Sequence, residues 1–144
     1  FSQMAQMIEK GPVVPVFGDG RALASPIHVE DMANTIAAAI DDPRAEGKTL
    51  DACGPNALST NATLDLLMQA LGQRRTVLHL PLGPMNTVAA ILERSPNPPL
   101  SRGLIAFSRF DNTSHGTNAD TALDLHFRTI DEGIRQVYGK AAQS

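Results

Sequence analysis

The stretch that most constrains this chain is Gly18-Asp19-Gly20 with Pro26-Ile27-His28-Val29-Glu30-Asp31-Met32-Ala33 behind it. It spells a tight turn, a short extended run and an abrupt helix start. Gly18 and Gly20 can take positive φ without a Cβ penalty, and Asp19 between them suits a turn. Pro26 cannot donate to a β-ladder and belongs at a strand edge or entrance. Glu30 and Asp31 put negative charge where a helix presents free N–H groups and the positive end of its dipole.

Around this stretch the pattern alternates helices and short strands, the signature of an α/β chain. Residues 1–10 read as a helix with Met4, Met7 and Ile8 at helical spacing, stopped by Gly11-Pro12. Val13-Val14-Pro15-Val16-Phe17 reads as a strand, with residues 22–29 as its hairpin partner across the glycine turn. Residues 30–41 are helical, with Ala33, Ile36, Ala37 and Ile40 in one apolar stripe and Asp42-Pro43 ending the helix. Thr49-Leu50-Asp51-Ala52-Cys53 reads as a further strand.

Ser59 or Thr60 caps the next helix, whose stripe is Leu64, Leu67, Met68 and Leu71 and whose terminator is Gly72. Residues 76–80 form a strand, and Gly83-Pro84 opens a helix with Met85, Val88, Ala89 and Leu92 on one side. Residues 100–110 and 120–125 read as shorter helices separated by a polar loop, 111–118. Thr129 and Glu132 stand at capping-box spacing before a last helix carrying Ile130, Ile134, Val137 and Tyr138. Residues 140–144 read as a frayed tail. Strands so few and short need further strands, or a partner chain, along their edges. A helix that begins without a cap or an initiator Met at Phe1 fits the same expectation, that something upstream belongs with this chain.

Several kinds of chemistry are absent. There is no GxGxxG or GxxxxGK[ST] phosphate turn, no GxSxG elbow and no HExxH. Tyr138 has Lys140 at i+2 and Ala142 at i+4, so it is read as packing. His28, His79, His115 and His126 show no close ligand spacing; His28 is placed to cap a helix. Ser114-His115 is assigned to an exposed loop, Arg74-Arg75 and Asp41-Asp42 to solvated charge. Cys53 is read as buried and inert, and one cysteine excludes an internal disulfide and fits a reducing compartment, the cytoplasm. A net charge of −3, scattered basic residues and no Trp give no footprint for nucleic acid. No apolar run approaches the ~20 residues of a membrane span.

Taken as an ordered set, Gly18-Asp19-Gly20, then Ile27-His28-Val29-Glu30-Asp31-Met32-Ala33, Gly54-Pro55, Leu58-Ser59-Thr60 and Leu80-Pro81-Leu82 resemble the extended and atypical short-chain dehydrogenase/reductases, the NAD-dependent epimerase/dehydratase superfamily. The resemblance covers roughly residues 3–138. Nucleotide-sugar epimerases of that superfamily carry an arginine where this chain has Ala24 and an aromatic where it has Pro26. Pro26 before Ile27, Leu92-Glu93-Arg94-Ser95-Pro96 and Asp111-Asn112 look more like the branch similar to the 39-kDa accessory subunit of NADH:ubiquinone oxidoreductase.

The resemblance implies the C-terminal portion of a Rossmann-like NAD(P)-binding fold, residues 1–139, contributing the last strands and the lobe over the substrate cleft. The parent would hold NAD or NADP through an N-terminal half that this chain lacks, and act on a small molecule. No catalytic, cofactor-binding or metal residue of the family maps here, so none is assigned. Two other readings stay open: a parent that is a non-catalytic accessory or assembly factor, and a complete small module that dimerises through its strand edges.

Overall fold

Val13–Phe17 (β1) and Thr76–Leu80 (β4) run parallel, Val13 opposite Thr76 and Phe17 opposite Leu80. This is the first departure from the sequence reading: β1 does not fold back on residues 22–29. Those residues supply a two-residue strand, Leu23–Ala24 (β2), which pairs antiparallel with Leu58–Ser59 (β3). The glycine turn therefore redirects the chain from one sheet to another. The computed structural model describes residues 1–94, 102–108 and 110–139; the expected tail at 140–144 lies outside them.

The helices are Ser2–Lys10 (α1), Val29–Asp41 (α2), Thr60–Ala70 (α3), Leu82–Leu92 (α4), Arg102–Phe107 (α5), Ala119–Leu123 (α6) and Ile130–Tyr138 (α7), with a 3-10 turn at Pro43–Ala45. Three begin as the sequence predicts. His28 caps α2, its Nδ1 accepting from Glu30 N–H at 3.3 Å. Ser59 caps α3 through Ala62 N–H. Thr129 and Glu132 close both halves of a capping box on α7. Gly72 ends α3 at φ +63°, a conformation that favours glycine. The helix expected over 100–110 is seen at Arg102–Phe107, with 100, 101 and 109 outside the described residues.

The main core joins α1, β1, α3 and α7. Ile8, Val14, Leu64 and Leu67 are at most 1% exposed, packed with Ala5, Val16, Met68, Leu71, Ile130 and Ile134. Tyr138 packs against its rim, as its place on an apolar face predicts. A smaller cluster, Ala89 and Ile105 with Phe17, Leu82 and Met85, joins α4 and α5 to the end of β1. Among the described residues, no helix is long and apolar enough to cross a membrane.

Further readings need correction or completion. Thr49-Leu50-Asp51-Ala52-Cys53 is extended but forms only an isolated bridge, Asp51 to Asn118, because among the described residues nothing pairs with its other edge. Ser114 is not a free loop residue: its hydroxyl donates to Asp51 at 2.7 Å, and Gly116 N–H adds a second bond at 3.0 Å. Arg75 is not simply solvated; its Nε donates to Ile8 O at 2.7 Å and satisfies a carbonyl at the end of α1. Asp42 likewise is paired, with Arg44, and caps the 3-10 turn. Cys53 is only half-buried. The apolar stripe of α2, finally, faces outward: Ile36 is 57% and Ile40 78% exposed.

Candidate functional site

In open α/β sheets, ligands sit beyond the carboxyl ends of parallel strands, where loops diverge and backbone groups are free. Here β1 and β4 end together at Phe17 and Leu80, and Gly18 N–H donates to Leu80 O at 2.9 Å to close the pair. The turn Gly18-Asp19-Gly20 starts at that point. Asp19 Oδ1 accepts from Arg21 N–H at 3.0 Å, which tightens the turn from within.

Asn61, in the first turn of α3, straps the turn from outside. Its N–H donates to Gly20 O at 3.1 Å and its Nδ2 to Asp19 O at 2.9 Å. Gly20 has φ +68°, which strains any L side chain, and a Cβ there would push the Asn61 amide out of its place on the turn. With Nδ2 spent as a donor, Asn61 Oδ1 is the acceptor that meets His79 Nε2 at 3.0 Å. That assignment makes His79 Nε2 the donor of this bond.

Two shallow clefts flank the turn. One, of about 590 Å³, is lined by Asp19, Arg21, Asn61, His79 and Pro81. The other, of about 510 Å³, is lined by Asp19, Arg21, Ala22, Leu82, Ser108 and Asp111. The Arg21 side chain borders both and is 85% exposed, its Nε 3.9 Å from an Asp19 oxygen, a contact that water screens heavily. Asp111 Oδ1 accepts from Leu23 N–H at 2.8 Å and holds the cleft wall to β2. The clefts thus present a cation, two carboxylates, an imidazole, an amide and a hydroxyl. Such a set can orient a polar, hydroxyl-bearing small molecule, and it contains no nucleophile hydrogen-bonded to a base.

A second polar cluster sits at the start of α2. Asp31 is 3% exposed, and its Oδ2 accepts from Arg128 N–H at 2.8 Å. Arg128 Nη1 lies 2.6 Å from Glu30 Oε2, 3.6 Å from Asp31 Oδ1 and 2.6 Å from His28 Nδ1. One guanidinium therefore compensates a buried carboxylate that the helix N-terminus also favours. Sequence reading missed Arg128; its signal was the buried-type helix start itself, since an Asp in that place needs a donor from elsewhere. Beside the cluster is a mainly apolar depression of about 200 Å³, lined by Ile27, His28, Arg128, Ile134, Val137 and Tyr138 among others. His28 and Arg128 on its wall are already paired with one another, so it reads as a packing surface and the strand-end clefts as the better ligand site.

The remaining histidines, His115 and His126, are exposed and stand apart from the clefts. Among the described residues no group of three or more His, Cys, Asp or Glu is placed to hold a metal ion.

The fold itself has clear relatives. The chain superposes on dTDP-glucose 4,6-dehydratase from Bacillus anthracis, solved with NAD, with a TM-score of 0.63 and 13% identity over 98% of its length. It matches UDP-glucuronic acid 4-epimerase from Bacillus cereus, solved with UDP-glucuronic acid and NAD, with a TM-score of 0.63 and 18% identity over 97%. It matches a triphenylmethane reductase from Citrobacter sp. with a TM-score of 0.66 and 10% identity over 99%. These neighbours are members of the NAD-dependent epimerase/dehydratase superfamily. At such identities the likeness is one of fold: an α/β chain of the Rossmann-like NAD(P)-binding type. The chain spans 37%, 38% and 47% of the length of these three. Comparison of the sequence with protein-family models and with curated proteins gives no match.

Proposed function

We propose that residues 1–139 are the substrate-lobe portion of an NAD(P)-dependent oxidoreductase or epimerase-like protein. One observation carries the reading. A chain matched over 97–99% of its length accounts for only 37–47% of proteins that include NAD-bound enzymes, and it places polar clefts at the carboxyl ends of its parallel strands. In this reading Asp19, Arg21, Asn61, His79, Ser108 and Asp111 face a small polar substrate. The cofactor, NAD or NADP, is held by a half of the parent that carries the phosphate-cradling turn, because no GxGxxG occurs here. Pro26 before Ile27 and Leu80-Pro81-Leu82 favour the branch similar to the 39-kDa accessory subunit over the sugar-nucleotide epimerases. An unpaired Cys53 suits the cytoplasm.

A second reading, a non-catalytic NAD(P)-binding accessory or assembly factor, is favoured by Ala24. It stands where the epimerases carry an arginine, and Arg21 borders the clefts from a different place in the turn. Titration calorimetry tests the division of labour. The 144-residue chain should show no saturable binding of NADH or NADPH at micromolar concentration. Micromolar binding would place a cofactor site in this chain and sink the proposal. The parent protein, assayed with NADPH and carbonyl or sugar-nucleotide substrates, separates turnover from binding alone.

A further inference from the structure

Two donors share one lone pair at the start of α2. His28 Nδ1 accepts from Glu30 N–H at 3.3 Å, and Arg128 Nη1 lies 2.6 Å from the same nitrogen. A guanidinium can only donate and does not give up its proton, so Nδ1 is the acceptor of both bonds. The ring is therefore neutral, with its proton on Nε2. A proton on Nδ1 is what this geometry forbids.

The ring also packs on α7. Gly133 faces it, and a Cβ there would meet ring Cδ2 at the tight distance of 3.3 Å. His28 and Arg128 stand on the wall of the depression of about 200 Å³ that Ile134, Val137 and Tyr138 of α7 also line. One side chain thus caps α2, meets the guanidinium and touches α7.

A proton added at Nδ1 removes the acceptor of both bonds and sets an imidazolium against a guanidinium. The charged groups around the ring decide which cation leaves. Glu30 and Asp31 from α2 attract both, but Arg128 already holds them. Its Nη1 is 2.6 Å from Glu30 Oε2 and 3.6 Å from Asp31 Oδ1, and its N–H donates to Asp31 Oδ2 at 2.8 Å. Asp31 is 3% exposed, and a carboxylate so buried is costly to leave without its cation. From α7, Tyr138 lines the depression, and Glu132 feels the charges of His126 and Arg128 while its carboxylate closes the Thr129 capping box. From the α1 side, Phe1 and Ser2 bring no titratable side chain. The guanidinium stays, so the imidazolium is the group that moves.

We infer that His28 is a proton-operated latch between α2 and α7. Neutral, it caps α2 and keeps its ring between Arg128 and Gly133. Protonated, it swings out, leaves Glu30 N–H without its acceptor and opens one wall of the depression, while Asp31 keeps Arg128 in place. Imidazoles gain their charge between about pH 8 and pH 5, so the latch is closed at the upper end and open at the lower. It acts apart from the strand-end clefts and does not depend on what they bind.

Nitrogen-15 resonance spectra of the full encoded polypeptide, taken from pH 8 to pH 5, test this. At pH 8 His28 Nδ1 should resonate as an unprotonated ring nitrogen and Nε2 as a protonated one. As the ring takes up its second proton, solvent exchange of the Glu30 amide should quicken about fivefold against that of Ala62, which Ser59 caps without a titrating group. The Arg128 amide, bound to Asp31, should keep its rate on the same scale. His28→Asn retains an oxygen acceptor for Glu30 N–H and has nothing to titrate, so its Glu30-to-Ala62 ratio should stay flat over the range. A proton on Nδ1 at pH 8, or a ring that stays neutral down to pH 5, overturns the inference. So does a charged ring with the Glu30 ratio unchanged, or the same acid response in His28→Asn, which would place the sensor elsewhere.

Discussion

Asp51 shows how much one side chain can organise. Its backbone pairs with residues 117–119 while its carboxylate accepts from Ser114 Oγ and Gly116 N–H, so one residue anchors the loop that leads into α6. The Ser114 hydroxyl, then the Gly116 N–H, hold its carboxyl below the ordinary value of 3.8, and the charge of His115 adds to this. A carboxylate so favoured binds its proton less readily in the fold than in the unfolded chain. Its contribution is complete above the unfolded value, and it is lost as pH falls below 3.8 towards the folded value. Asp51→Asn should therefore unfold at lower temperature than the wild type at pH 7, and the gap should narrow at pH 3, read by circular dichroism. A gap of equal size at both would show that the charge contributes nothing. The sequence could not place Asp51 in this role, because its partners are 63 and 65 residues away. Arg128 was hidden for the same reason, being 97 residues from Asp31.

Elements whose ends are set locally were legible; elements whose partners are distant were not. The capping box of α7 is contained within Thr129–Glu132, and Gly72 announces the end of α3 by the conformation it alone accepts cheaply. Thr129→Ala removes the acceptor for Glu132 N–H at 3.2 Å and should cost about 1 kcal/mol in urea unfolding, with Thr129→Ser close to wild type. If Thr129→Ala and wild type unfold together, the box is ornamental. The pairing of β1 depended on β4, some sixty residues on, and a glycine turn between two apolar runs looked locally like a hairpin. The α2 stripe shows another limit. Periodicity reveals that a helix has an apolar side but not which neighbour takes it, and here the polar side won through a buried Asp31 with a matched donor. At the site, the glycine turn could be read from sequence, whereas His79, Ser108 and Asp111 joined it only through the crossing of β4 and the return of the loop after α5.

At the scale of the molecule, the described residues form two apolar clusters of unequal size, and one of the two clefts lies on the smaller. Ten buried residues from α1, β1, α3 and α7 make the main core, whereas Ala89 and Ile105 are the fully buried members of the other. Leu82, which packs on that small cluster, also lines the cleft with Ser108 and Asp111. Among the described side chains little apolar area is buried there, and little buried area means a low free energy of local opening, so α4 and α5 should open without unfolding the rest. The two clusters share β1, with Val14 and Val16 in the large one and Phe17 against the small one, so the sheet can stay intact while α4 and α5 lift. Native-state hydrogen exchange should then show α4 and α5 amides less protected than those of α3. Leu64→Ala leaves a cavity in the main core and should lower global stability by ~2–5 kcal/mol, reducing protection everywhere. Ile105→Ala should reduce protection in α4 and α5 while α3 keeps its own. If Ile105→Ala weakened α3 as much as α4, the two clusters would be a single cooperative unit, and the cleft wall would open only when the whole chain unfolds.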